Sequence, residues 1–226
     1  PYEGAYRVKR YRPRTEGLFA RIEQWVHQET GDVHWRTTTP DNTTSVYGKD
    51  ENSRIADPAD RLRVFKWLLC ESYDDKGNVI VYHYKAEDAK NVSRFAPQER
   101  NRYQKGDDGN DDLPTYTNRY LKRVLYGNRE PYVRSQAPHD WLFQVVFDYG
   151  EHGVFGDKET ETTPPTPNDS GDWSSRPDAF SSYRSGFEIR TQRLCRRSLM
   201  FHRLDERGGI DDSSRQNSKD WYLVGS

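Results

Sequence analysis

The stretch Glu71-Ser-Tyr-Asp-Asp-Lys-Gly-Asn-Val-Ile-Val-Tyr-His-Tyr84 decides the fold class. Aromatic and β-branched residues line both of its halves, and Asp75-Lys76-Gly77 interrupts them as a turn. Glycine takes the positive φ that closes such a turn without a Cβ clash, while flanking Asp and Asn satisfy the backbone groups left free. The segment therefore reads as a β-hairpin. A type I turn with Gly77 in the left-handed bulge position sets Asp74 opposite Asn78. Counting outward pairs Tyr73 with Val79, Ser72 with Ile80, Glu71 with Val81, Cys70 with Tyr82, Leu69 with His83 and Leu68 with Tyr84. One face then collects Leu68, Cys70, Ser72, Ile80, Tyr82 and Tyr84. It carries no ionised group and is expected to be better buried than the face of Trp67, Leu69, Glu71, Tyr73, Val79, Val81, His83 and Lys85.

Composition agrees with sheet. The 226 residues are 13% aromatic but only 32% hydrophobic, with a mean hydropathy of -1.14. A chain of this length can bury one large core or two small ones. Too few Leu, Ile, Val and Met are present for an oily interior, so 15 Tyr and 6 Trp must carry much of the burial. Cross-strand aromatic and β-branched pairs contribute about 0.2 to 1 kcal/mol each without a closed apolar core. The expectation is a sheet with much of both faces wet or semi-polar.

Charge nearly cancels, with 35 Lys and Arg against 36 Asp and Glu, so no global field steers the chain to nucleic acid or anionic lipid. The basic run Arg193 to Arg197 is broken by Leu194 and Cys195, as an alternating strand would be. Cys70 and Cys195 lie in apolar, strand-like runs without metal or redox spacing. They read as two buried free thiols, with a disulfide as the alternative. No run of 18 apolar residues and no signal peptide is present, and no segment is expected to enter a membrane by itself. The chain starts at Pro1 and stops at Trp221-Tyr-Leu-Val-Gly-Ser226 as a new alternation begins, so it is expected to be a piece of a longer polypeptide.

Outward from the hairpin, residues 17–48 read as a meander, with Gly31 and Pro40-Asp41 as punctuation. Ala56-Asp-Pro-Ala-Asp-Arg-Leu-Arg-Val-Phe65 is the best helix candidate. Asp57 can cap it, Pro58 suits the first helical position, and Leu62, Val64 and Phe65 give an apolar side. Residues 86–117 are a long exposed loop insertion ending in Gly106-Asp-Asp-Gly-Asn-Asp-Asp112. Strands resume at 119–126 and 141–149. A second insertion, 151–178, holds Pro164, Pro165, Pro167 and Pro177, which cannot donate to a ladder. A long strand region follows from Ser185 to Leu204. The whole chain, 1–226, reads as one region.

Several blocks carry a family resemblance. Tyr73-Asp-Asp-Lys-Gly-Asn78 resembles the tyrosine-aspartate repeat of large bacterial toxin shells. In order, Tyr11-Arg-Pro-Arg-Thr-Glu-Gly-Leu-Phe-Ala-Arg-Ile-Glu23, Thr30-Gly-Asp-Val-His-Trp-Arg36, Ser53-Arg-Ile-Ala-Asp-Pro58, Asn118-Arg-Tyr-Leu-Lys-Arg123, Phe147-Asp-Tyr-Gly-Glu-His152 and Ser181-Ser-Tyr-Arg-Ser-Gly-Phe-Glu-Ile-Arg-Thr191 are similar to the SpvB-type amino-terminal domain. That domain is shared by a plasmid virulence protein and the B component of the tripartite Tc insecticidal toxins. The resemblance implies a secreted, mainly β, antiparallel piece of a hollow shell. With a toxin C component it would enclose an effector until delivery through an A-component channel. It implies no catalytic residue in this region.

Glu159-Thr-Glu161 has the Glu-x-Glu form used in ADP-ribosyl transfer, but lies in a Pro-rich loop without a supporting strand. His27, His34 and His83 do not share a ligand spacing. The carboxylates of Asp107 to Asp112 could attract calcium, but Asn118 stands where a twelve-residue calcium loop needs an acid. Cys195 and His202 form a nucleophile and base only if folding unites them. Trp25, Trp35, Tyr47 and Trp141 offer stacking faces for a glycan, although their alternation with apolar residues favours packing. The reading is therefore a non-enzymatic shell segment with no catalytic, cofactor or metal residue. The alternatives are a glycan- or receptor-binding β module, or a carrier for an ADP-ribosyltransferase.

Overall fold

The computed structural model describes residues 2–15, 17, 19–102, 104–105, 111–112, 116–134, 136–152, 166–167, 171–203 and 221–225. Its strands in chain order are β1 (Tyr2–Glu3), β2 (Tyr6–Tyr11), β3 (Arg21–His27), β4 (Val33–Thr38), β5 (Thr44–Tyr47), β6 (Arg54–Asp57), β7 (Asp60–Trp67), β8 (Leu69–Tyr73), β9 (Val79–Ala86), β10 (Gln104–Lys105), β11 (Asp111–Asp112), β12 (Arg119–Asn128), β13 (Trp141–Asp148), β14 (Phe180–Ser182), β15 (Ile189–Thr191), β16 (Arg197–Arg203) and β17 (Trp221–Gly225). Short 3-10 turns occur at Glu51–Ser53 and Arg100–Arg102. The protein is mainly β, and the ladders are antiparallel.

Eleven strands form one sheet in the order β1, β2, β3, β4, β5, β8, β9, β12, β13, β16, β17. Neighbours in the sheet thus follow the chain. Each break in the numbering is filled by a two-stranded excursion outside the sheet: β6 with β7, β10 with β11, and β14 with β15.

The hairpin of β8 and β9 has the expected register at its turn, with Tyr73 opposite Val79, Ser72 opposite Ile80 and Glu71 opposite Val81. Gly77 has a φ of 86°, and the Asp74 amide donates to the Asn78 carbonyl at 3.1 Å. Asp74 Oδ1 accepts from the amides of Lys76 and Asn78, each at 2.9 Å. Beyond Glu71 the strand bulges. Val46 faces Glu71 and Tyr47 faces Leu69, so Cys70 is an extra residue and the pairs counted from Cys70 to Leu68 lie outside the β8–β9 ladder.

The expected order of burial is reversed near this turn. Glu71, Tyr73 and Val79 are buried, whereas Ile80 is 37% exposed. Tyr132 is the cause. Its ring packs 5.2 Å from that of Tyr73, and its hydroxyl donates to Glu71 Oε1 at 2.5 Å. Lys49 Nζ donates to Glu71 Oε2 at 3.0 Å, so the buried carboxylate is satisfied from two sides.

Other expectations are corrected too. Residues 56–65 are not helical: β6 and β7 pair Ala56 with Val64 and Asp57 with Asp60, leaving Pro58-Ala59 as the turn. Asp57 does cap, but it caps that turn, accepting from the Ala59 amide at 2.9 Å. Leu62 and Phe65, the intended helix face, are exposed, and a helix there would have had no core to pack against. The region from Ser185 to Leu204 is not one strand, because β15 ends at Thr191 and β16 begins at Arg197. The segment 86–117 is not wholly exposed, since Glu87 and Glu99 are buried. Cys70 is buried, but Cys195 is exposed, and both thiols are free.

The faces of the large sheet differ. Directly paired residues point to the same side, so the ladders identify each face. One face carries the rows Val46, Glu71, Val81 and Leu125, Gln144, Phe201, together with Val146 and Leu199. Val46, Glu71, Gln144, Val146, Leu199 and Phe201 in these rows are buried. The opposite face carries Thr37, Ser45, Ser72, Ile80, then Tyr82, Val124, Val145, Met200, then Tyr126, Phe143, His202. None of these is buried and none is Asp, Glu, Lys or Arg, although the same side also carries Lys9, paired with Gln24, and Arg119, paired with Ala86. The first face is the better buried, yet it stays semi-polar, with Glu71 and Gln144 among its buried residues.

Candidate functional site: a buried ionic clasp

Charged residues occupy the interior where the excursions meet the sheet. Segment 87–102 follows β9, and segment 171–193 follows β13 and includes β14 and β15. Between them, Glu87 is enclosed with Arg193, whose Nε donates to Glu87 Oε1 at 3.0 Å and to Oε2 at 2.9 Å. Neither side chain is exposed to solvent. Arg193 Nη1 also donates to the Trp173 carbonyl at 2.8 Å.

A second carboxylate, Glu99, anchors the other half. Glu99 Oε1 accepts from Arg190 Nε at 2.8 Å and from Gln192 Nε2 at 2.7 Å, while Oε2 accepts from Arg102 Nη1 at 2.6 Å. Arg102 Nη2 continues to Glu188 Oε2 at 2.7 Å. Burial pushes the Glu99 and Glu188 carboxyls up, but the donated hydrogen bonds outweigh it and hold both below 4.5. Desolvated charges are tolerated only with this degree of pairing.

Aromatic rings close the cluster. Trp173, 2% exposed, stacks on Tyr149 with ring centres 4.2 Å apart and meets the edge of Tyr120 at 5.8 Å. Lys85 Nζ sits 4.3 Å from the Trp173 ring centre. The Tyr120 hydroxyl accepts from the Gln192 amide at 2.9 Å, and the Tyr149 hydroxyl donates to the Leu121 carbonyl at 2.9 Å. The ends of β9, β12 and β13 are thereby tied to both excursions.

This is holding chemistry. Glu99 and Glu188 stay ionised against guanidinium groups and have no proton to donate as general acids. The hydroxyls that adjoin Glu188, those of Ser181 and Tyr183, donate to its Oε1, and Ser181 Oγ also accepts from Arg190 Nη1 at 3.0 Å, so they belong to the same pairing. Cys195 and His202 stand near opposite ends of β16, and His202 instead packs edge-on against Phe143 at 4.8 Å. Burial raises the Cys195 thiol pKa, the opposite of activation.

The remaining sequence candidates are scattered. Glu159 and Glu161 lie outside the described residues, as do residues 107–110 of the acidic cluster, whereas Asp111 and Asp112 form β11 opposite Gln104 and Lys105. His34 is buried beside Trp25, His27 accepts from the Thr30 amide at 3.3 Å, and His83 is exposed on β9. Among the described residues no group of three or more His, Cys, Asp or Glu is placed to hold a metal ion. The described residues also contain no helix long and apolar enough to cross a membrane. The glycan candidates have occupied rings: Arg36 lies 3.6 Å over Trp25, Trp35 packs between Tyr11 and Trp67, and Trp141 packs on the cluster of Val46, Tyr73 and Val79. Tyr47 sits on β5 opposite Trp35 and Leu69.

Sequence reasoning missed Glu87, Glu99, Trp173, Arg190 and Arg193. One signal was available, a lone Trp173 inside a Pro-rich polar stretch, which has little reason to occur on a solvated loop.

The family model for SpvB, described as Salmonella virulence plasmid 65kDa B protein, matches residues 1–204. The chain belongs to the SpvB family. The mono(ADP-ribosyl)transferase SpvB of Salmonella typhimurium strain 14028s is 38% identical over 214 residues, which is 92% of this chain and 33% of that protein. The protein of the same name from Salmonella dublin is also 38% identical over 214 residues. The chain thus spans about a third of the length of these SpvB relatives. Among solved structures, the N-terminal domain of effector protein SpvB from Salmonella typhimurium strain LT2 superposes with a TM-score of 0.76 at 35% identity, covering 97% of this chain and 62% of that one. The Photorhabdus luminescens Tc holotoxin pore gives 0.76 at 33%, covering 98% and 10%. The TcdB2-TccC3-Cdc42 complex gives 0.74 at 34%, covering 97% and 10%. This SpvB-family chain therefore shares a toxin-associated structural domain.

Proposed function

We propose that this chain is a non-enzymatic wall segment of a secreted bacterial toxin shell, which encloses an effector polypeptide before delivery. The observation that carries the reading is the unequal pair of faces on one sheet. A wall must bury one side against the rest of the shell and present the other to a cavity. Rows such as Tyr82, Val124, Val145 and Met200 give a half-exposed central patch without fixed charge, which neither traps nor repels a charged cargo; Lys9 and Arg119 lie beyond it on the same side. The clasp supports the same reading, because its carboxylates hold excursions in place.

The partners under this reading are the remainder of the chain's own polypeptide, a C component carrying the effector, and an A-component channel. Similarity to the TcdB2-TccC3 complex and the Tc holotoxin pore supports that set. A second reading, a carrier for a transferase elsewhere in the same polypeptide, is favoured by the name of the relatives of which this chain matches a third. In both readings the region itself turns over no NAD.

The test introduces charge on the semi-exposed face of the intact toxin, as Val145→Asp with Met200→Asp. The expected result is loss of protease protection of the enclosed effector with assembly retained. Full protection and delivery by that variant would overturn the wall reading. Glu159→Gln with Glu161→Gln should leave NAD turnover by this region at background, and loss of a measurable turnover on that change would restore an enzyme.

A further inference from the structure

A polar cleft of about 200 Å³ lies between the β6–β7 excursion and the start of β12. It adjoins the clasp, since the Thr117 hydroxyl donates to the Glu188 carbonyl at 2.8 Å, and Arg119, paired with Ala86, lies on the Tyr82 side of the sheet. Three carboxylates and three guanidinium groups line it: Asp32, Glu51, Asp57, Arg54, Arg61 and Arg119. Most of this charge is matched. Arg54 Nη1 lies 3.0 Å from Asp32 Oδ1, Arg61 Nη1 lies 3.6 Å from Glu51 Oε1, and Arg63 Nη1 lies 3.0 Å from Asp57 Oδ2.

Arg119 is the exception. Both of its hydrogen bonds leave from Nη1, to the carbonyls of Thr117 at 3.1 Å and Asn118 at 3.2 Å. Its Nε is buried without an acceptor, and among the described residues no carboxylate forms an ion pair with it. Burial pulls the guanidinium pKa down, with only Glu51 and Asp50 opposing at a distance. An orphaned buried N–H on a charged group is costly, and an arriving acceptor recovers that cost. The vacant edge is the one bearing Nε and Nη2. Those two N–H groups are parallel and match the two oxygens of a planar carboxylate.

We infer that the Arg119 cleft is a binding site for a single carboxylate, held side-on by Nε and Nη2. A monoanion is selected over a dianion because Asp32, Glu51 and Asp57 line the same cleft and repel excess negative charge. Two sources share this chemistry, a small free carboxylic acid and an acidic side chain or chain terminus of a polypeptide.

The experiment labels arginine Nε with nitrogen-15 in the intact protein and follows the Arg119 Nε–H resonance by NMR at constant ionic strength. The probes are acetate, an acetylated and amidated Gly-Glu-Gly peptide, and inorganic phosphate. Acetate should move the resonance saturably and downfield. The Glu peptide should bind at least as tightly when the ligand is a polypeptide, and not at all when it is a small free acid. Arg119→Lys keeps the charge but loses the fork, and should weaken acetate binding about tenfold. Arg119→Gln should remove acetate protection in a thermal melt. An unmoved resonance, a preference for phosphate, or unchanged acetate affinity in Arg119→Lys would each overturn the assignment.

Discussion

Gly77 and Pro131 meet so closely that a Cβ on the glycine would lie 2.9 Å from Pro131 Cβ and 3.1 Å from its Cα. The hairpin turn of β8 and β9 is therefore seated against the connection from β12 to β13. The Gly77 carbonyl accepts from the Tyr132 amide at 2.9 Å and from Asn128 Nδ2 at 2.8 Å. Gly77 is needed here twice, for its φ of 86° and for the space it leaves.

Gly77→Ala should thus destabilise by about 2 kcal/mol, combining a disfavoured φ with a backbone clash. Urea unfolding of both proteins measures the difference. A change within about 0.5 kcal/mol, the usual range for surface sites, would mean that the contact yields easily.

Breaking the enclosed ion pair should be harsher. Arg193→Met alone leaves Glu87 as a desolvated charge and should cost about 3 to 5 kcal/mol, while Glu87→Gln leaves Arg193 with Asp88 at 3.3 Å and should cost less. Glu87→Gln with Arg193→Met removes both charges and should recover part of that loss. A double-mutant cycle in chemical denaturation checks the non-additivity.

Acid should weaken the fold in two stages. Burial, followed by the charges of Arg36, Arg54 and Lys49, lowers the His34 pKa from 6.5 to about 3. The folded pKa is below the unfolded one, so this contribution is complete above pH 6.5 and is lost as pH falls toward 3. Glu99 and Glu188, held below 4.5 in the fold, lose theirs only once pH falls below about 4.5. His34→Gln retains an acceptor for Arg36 Nε, which now lies 3.2 Å from His34 Nε2. That variant should flatten the stability profile between pH 6.5 and 5 while leaving the steeper fall below 4.5.

The two thiols should report exposure and ionisation separately. Cys195 is exposed, yet burial of its sulfur, then Asp148 and Glu151, raise its pKa above 9.0. Reaction with a disulfide reagent should accelerate only as pH rises past about 9, since thiolate is the reactive form. Cys70 should react only on unfolding. Counting modified cysteines by mass spectrometry at pH 7 and pH 9.5 distinguishes them.

Local features were legible in the sequence and distant ones were not. The register of Tyr73 and Val79 could be counted because a turn and its flanking strands are neighbours in the chain. Residues 56–65 misled because Asp57-Pro58 suits a helix start and a tight turn equally, and the ladder with Arg54–Asp57 decided between them. The burial of Glu71 depended on Tyr132, 61 positions away, and the Glu87 pair on Arg193, 106 positions away. Neither partner is marked by spacing or periodicity. The carboxylate cleft escaped for the same reason, as Arg119 is unremarkable until Thr117 and Asn118 consume only one of its nitrogens.

The sequential strand order of the large sheet has a kinetic consequence. From β3 to β5 and from β8 to β9 each sheet neighbour is reached by a short loop, so little chain entropy is lost as those strands join. The sheet can zip outward from any early hairpin, with the pairing of Tyr73 and Val79 among the cheapest nuclei. The clasp cannot form this way, since Glu87 and Glu99 must await arginines about ninety to a hundred residues downstream. Its closure is then a late event that stabilises the finished structure by slowing unfolding, leaving the folding rate to the hairpins.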